Sequence, residues 1–195
     1  MKINKLSILL IALIVGCNEQ NNKNIELKDS NSTIINSENI PDVIKNLPTG
    51  ISVINEPDTI YAELNNKPES KYIWPHTTTI KALYNNLRII EFGAYNYKND
   101  EWKLGNYTKK PFTTEDFDKW YCKKGNGIIT FDFCKSGKIN KGEEYIDPSN
   151  YSIRNDSLVN RNGLWYYIGI DSAGNKFMGY GRYVTVNKLK NKENL

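Results

Sequence analysis

Along most of this chain apolar residues alternate with polar ones, or gather in short β-branched and aromatic runs separated by turn residues. From Leu87 to Tyr97 the residues Leu87, Ile89, Glu91, Gly93, Tyr95 and Tyr97 share one face and Arg88, Ile90, Phe92 and Ala94 the other, which is the period of a strand. Lys98-Asn99-Asp100-Glu101 reads as a turn and 102–107 as the returning strand. Ile51–Ile54 and Thr59–Leu64 are β-branched and predict two short strands. Residues 71–83 read as a strand that Pro75 interrupts, as happens at an edge or a bulge. Gly127–Cys134 alternates Ile129, Phe131 and Phe133 with Ile128, Thr130 and Asp132, and Glu143–Ile146 is a shorter strand. Residues 147–162 are polar and irregular and read as a long loop.

Gly163–Ile170 and Lys176–Val186 predict a C-terminal hairpin. If Ser172–Asn175 form a four-residue loop, Ile168 faces Gly179 and Tyr166 faces Gly181. That register turns Leu164, Tyr166, Ile168, Ile170 and Phe177 inward and sets Arg182 beside Trp165 at the solvent. The strand period breaks twice. Pro41–Pro48 predicts one helical turn between two prolines. Pro111–Tyr121 predicts a helix over about 114–121: Thr113 is an N-cap, Asp116 its capping-box partner, and acids fall early and lysines late. Many short strands with one small helix place the chain in the all-β class.

The first residues follow another rule. Lys2 and Lys5 precede an apolar run from Leu6 to Val15, too short to span a bilayer, and a polar stretch follows. Ile14-Val15-Gly16-Cys17 resembles the lipobox of a bacterial lipoprotein precursor. The resemblance covers residues 1–17 and implies that Cys17 becomes the mature N-terminus, carrying acyl chains that enter membrane lipid. It predicts a signal peptide over 1–16 and a location in the cell envelope, at the outer membrane, since Asn18 rather than Asp follows Cys17. Residues 17–39 are rich in Asn, Ser, Lys and Glu and read as a disordered tether with a reach of about 25 Å. Residues 40–187 then form a single β-sandwich domain, and 188–195 a frayed tail. In this exported setting the domain resembles, at the level of fold, the antiparallel immunoglobulin-like β-sandwich with one short helix; such a likeness implies no activity.

Charge excludes one class of partner. Loss of residues 1–16 removes two lysines and no acid from a formal +4, leaving +2. The lysines are scattered, with no basic stripe carrying interleaved aromatics, so nucleic acid is not expected. Arginine is scarce: Arg88, Arg154, Arg161 and Arg182 are all there are.

Few residues carry a pattern of chemistry. The chain has one histidine, His76, without a nucleophile signature beside it. Neither a zinc set nor a calcium loop is complete, and no catalytic residue, metal or cofactor is assigned. With Cys17 acylated, Cys122 and Cys134 remain as an even pair, expected in an oxidising compartment to form a structural disulfide worth ~3 kcal/mol. Trp102 and Tyr107, near a hairpin, are the candidate ligand platform among many aromatics. Asp58-Thr59-Ile60, Asp156-Ser157-Leu158 and Asp171-Ser172-Ala173 resemble the Asp-Ser/Thr-aliphatic acceptor of O-glycosylation in some Gram-negative bacteria, which makes Thr59, Ser157 and Ser172 candidates. The reading is therefore a lipid-anchored, non-enzymatic binding module for an envelope protein, peptide or glycan. The alternatives are an envelope hydrolase built on paired carboxylates and a structural envelope component.

Overall fold

The computed structural model describes residues 40–125 and 128–191. Cys17, the signal and the tether lie outside the described residues. A single turn, α1 (Asp42–Lys45), precedes β1 (Ile51–Glu56), β2 (Thr59–Leu64), β3 (Tyr72–Pro75), β4 (Thr77–Ala82), β5 (Leu87–Lys98) and β6 (Glu101–Leu104). The helix α2 (Thr114–Trp120) leads into β7 (Cys122–Gly125), β8 (Ile128–Phe133), β9 (Lys138–Ile139), β10 (Glu144–Asp147), β11 (Tyr151–Asn155), β12 (Arg161–Ile170) and β13 (Lys176–Leu189). The strands form a small sheet, β1-β4-β10-β7-β8, and a large one, β11-β3-β2-β13-β12-β5-β6, with β9 added on β5. This is the expected all-β sandwich with its short helix. All pairs between named strands are antiparallel except β13 with β2.

Local chemistry accounts for the places where the chain changes course. Pro75 cannot donate to a ladder, and there the chain leaves the large sheet at β3 and enters the small sheet at β4. The capping box forms as read: the Thr113 N–H donates to Asp116 Oδ2 at 3.0 Å. The helix ends at Tyr121, whose extended backbone runs straight into β7. Gly125 is the last residue of that strand.

The core lies on both sides of the large sheet. Between the sheets, Phe92 is ringed by aromatics. Tyr167 stacks on it at 5.6 Å and 5°, while Phe117, Trp120 and Tyr121 present edges at 5.5–6.0 Å. On the opposite face of β12, Leu164, Tyr166, Ile168 and Met178 are buried with Ile44 of α1. A strand with two apolar faces must be covered twice, and β12 has seven consecutive buried residues from Gly163 to Gly169.

That double burial goes with a correction to the hairpin. Asp171 leaves the ladder: its Oδ1 accepts the N–H groups of Ala173 and Asn175, both at 2.9 Å, and Gly174 takes φ +85°. The loop is one residue longer than expected, and Ile170 pairs with Lys176. Every pairing then slips by one, so that Ile168 faces Met178, Tyr166 faces Tyr180 and Trp165 faces Gly181. The glycines fall on the Trp165 and Tyr167 face, where β1 crosses β13. A Cβ on Gly181 would lie 2.9 Å from Val53 Cγ1. Arg182 lies over Trp102 at 5.9 Å and Tyr180 at 6.0 Å, rather than over Trp165.

The reading of 147–162 as a loop also fails, because β11 and the first residues of β12 lie within it. The disulfide does not form: Cys122 and Cys134 are buried free thiols. Cys122 pairs with Phe133 across β7 and β8, so Cys134 sits one position on, where its N–H donates to the Tyr121 carbonyl at 2.9 Å. Successive residues point to opposite faces, which separates the sulfurs. The Cys122 thiol instead lies 3.6 Å from the Ile146 carbonyl. Burial pushes the Cys134 thiol up to about 12.

Candidate functional site

The sandwich leaves a groove of about 920 Å³. Five stretches border it: Ala94 and Asn96 of β5, the 105–112 loop, the C-terminal end of α2, the outer face of β8, and residues 147–154; Arg161 and Trp165 of β12 complete it. Phe112, Trp120 and Trp165 make an aromatic base, with Phe112 4.7 Å from Trp120 and 6.3 Å from Trp165. Tyr107, Phe131 and Phe133 are its exposed rings, at 73%, 66% and 46% exposure. Phe131 takes φ +52° within the β7–β8 irregularity, a conformation that bulky residues rarely adopt without a constraint.

The walls are held by buried amides. Asn106 accepts from the Ala94 N–H at 2.9 Å and donates to the Lys110 carbonyl at 2.8 Å, fixing the loop to β5. Asn150 donates to Thr78 Oγ1 at 2.8 Å, and Thr78 donates to Asn55 Oδ1 at 2.8 Å. The 147–152 wall is thus tied through the small sheet to the Gly181 carbonyl, which Asn55 meets at 2.8 Å.

Three polar atoms of the groove residues have no protein partner among the described residues: Trp165 Nε1, Arg154 Nε and Asn96 Oδ1, all buried. An unmet buried donor or acceptor costs about 1–3 kcal/mol; atoms of His76, Thr79 and Tyr183 share that state away from the groove. Lys119, Arg154 and Arg161 supply positive charge. Among the described residues no carboxylate comes within ion-pair distance of any of them. The Arg154 guanidinium lies 4.2 Å from the Tyr151 ring centre, which orients it without neutralising it. Burial lowers the Arg161 pKa, and the nearby Tyr183 opposes that shift.

Asp147 is the one acid at the groove among the described residues. Burial pushes its carboxyl up to about 6, against the N–H of Ser149, which donates to it at 3.0 Å. Behind it the Tyr121 and Tyr167 hydroxyls bond to each other, both pushed up by burial and by this carboxyl.

The residues singled out from sequence scatter over the molecule. Tyr107 is at the groove. Trp102 is not: it packs against Tyr97 at 5.1 Å and belongs with the cluster on the α1 side of the large sheet. Thr59, Ser157 and Ser172 are exposed, Ser157 and Ser172 in bends or turns and Thr59 at the start of β2. His76 is buried, and burial pushes its imidazole down to about 4, so it is neutral beside Tyr183 at 5.5 Å. The residues missed were Arg154, Arg161, Trp165 and Asn96. One signal was available for the first two: in a chain so dominated by lysine, a functional site needing a planar, bidentate donor would show as a retained arginine.

Comparison with protein families, with characterised proteins and with solved structures finds no match. Among the described residues no helix is long and apolar enough to cross a membrane, and no three metal-ligating side chains gather.

Proposed function

We propose that this chain is a lipid-anchored envelope lipoprotein, held at the outer membrane through acylated Cys17, whose β-sandwich is a binding module with the groove as its recognition site. One observation carries the binding role: a groove of about 920 Å³ lined by aromatic rings also holds Lys119, Arg154 and Arg161, none of them ion-paired among the described residues. Ligand sites are concave, mostly apolar, and carry a few placed polar groups. The lipobox at 14–17 carries the anchor, and the exposed Ser157 and Ser172, with Thr59, are proposed acceptors of glycan.

A hydrolase is the second reading, supported by the raised carboxyl of Asp147 in a cleft. It needs a facing acid, and the groove supplies none among the described residues. Binding needs nothing further.

The purified full chain, presented to arrays of short peptides and oligosaccharides, is expected to retain at least one member. Replacing two of the rim rings, Tyr107→Ala with Phe131→Ala, should weaken that retention at least tenfold. A ligand held equally by both proteins, or an empty result on both arrays, rejects the groove as the site. For the anchor, fractionation of cells should place the wild type with membranes and Cys17→Ser in the soluble fraction; a soluble wild type rejects lipidation.

A further inference from the structure

The geometry points to an extended peptide carrying an acidic side chain as the occupant of the groove, bound along the free edge of β11; this rests on the groove being a recognition site. Tyr151, Ser152, Ile153 and Arg154 all border the cavity. Side chains alternate across a strand, so four consecutive residues meet one space where the strand turns its edge toward it. β11 is the terminal strand of the large sheet and pairs with β3 on one side alone among the described residues. An edge of this kind offers a row of backbone donors and acceptors to an added strand.

Charge selects among peptides. Arg154 stands on this edge strand and Arg161 on β12, both at the groove and neither ion-paired among the described residues. A guanidinium meets a carboxylate with two parallel hydrogen bonds, which an ammonium cannot reproduce. A glutamate or aspartate answers the charge of the two arginines. Its neighbours in the strand point to the other side, toward apolar walls that include Phe131 and Phe133. A saccharide acid would satisfy the arginines but would leave the strand edge unused.

The test uses the full chain and tryptophan fluorescence, since Trp120 and Trp165 line the groove. The probes are acetylated, amidated pentapeptide pools free of tryptophan, with Glu fixed at the centre, the same pools with Gln, and Glu pools N-methylated at alternate backbone positions. The Glu pool is expected to bind at least tenfold more tightly than the Gln pool, and N-methylation to abolish binding. Arg154→Gln should remove the Glu preference while thermal unfolding stays as in the wild type. If that variant fails to fold, Lys119→Gln, at an exposed position on the same groove, should reduce the preference severalfold. Equal binding of the Glu and Gln pools, or of methylated and unmethylated pools, overturns the proposal. A galacturonate trisaccharide that perturbs the fluorescence where no peptide does overturns the peptide and leaves the recognition groove standing. Silence from every probe overturns both.

Discussion

Two buried titratable residues oppose each other in acid. Asp147 has its carboxyl pushed up to about 6 by burial, from 3.8. A raised carboxyl binds its proton more tightly in the folded state, so it favours folding below about 4 and loses that contribution as pH rises through 6. His76 runs the other way. Its imidazole is pushed down to about 4 from 6.5, so its contribution is whole above 6.5 and is lost as pH falls through 4. Each limb amounts to about 3 kcal/mol at most, and between pH 4 and 6 they nearly cancel. Urea titrations should therefore find the wild type almost flat in that window. His76→Phe should leave a stability that falls from pH 4 to 6, and Asp147→Asn one that rises from pH 4 to 6.5. If the two variants share one slope, the burial argument is wrong for at least one of them.

At the scale of elements, the close crossing of β1 over β13 is the most exacting contact. A Cβ on Gly179 would run into the Ile51 backbone and come within 2.7 Å of Ile51 Cβ, and neither strand can withdraw without parting the sheets. Gly179→Ala should cost about 1–3 kcal/mol, measured by denaturant unfolding. Gly125→Ala, whose nearest neighbour would be Thr130 Cγ2 at 3.8 Å, should change stability by about 0.5 kcal/mol or less. Equal effects at both sites would show that β1 does not press on β13. The glycines were visible in the sequence and so was their use for close approach, but not their partner. The prediction gave them to Tyr166 and Ile168 across the hairpin; the structure gives them to β1. The hydrophobic pattern could not settle the register, because both faces of β12 are apolar and a one-residue slip exchanges one buried face for another. The helix at 114–120 was legible because its capping signal is local: Thr113 and Asp116 stand three residues apart. β11 was not, since Tyr151, Ser152, Ile153, Arg154 and Asn155 are all half-exposed and show no alternation. The groove was least legible of all. Its residues come from six separated stretches, and Tyr107 alone had been singled out, on the strength of lying near a hairpin. Cys122 and Cys134 misled because parity and compartment say nothing about which face of a ladder a thiol occupies.

For the molecule as a whole, the order of strands departs from the order of synthesis. β13 is the last strand among the described residues, yet it lies inside the large sheet, between β12 and β2, and carries β1 across its glycines. Val184 pairs in parallel with Thr59, and the Lys190 N–H reaches the Ala62 carbonyl at 2.8 Å. Ending the chain at Ala173 should therefore abolish a cooperative unfolding transition, whereas ending it at Asn191 should preserve one; circular dichroism on heating distinguishes the two. If the Ala173 truncation still melts cooperatively, the sheet does not depend on its last strand. The same placement sets a timetable. A chain delivered N-terminus first, from a ribosome or through a narrow channel, holds β1 and β2 without the strand that joins them until residue 189 has arrived. Pairings this remote in sequence are slow to form, so the domain stays threadable until β13 has been delivered and closes only then.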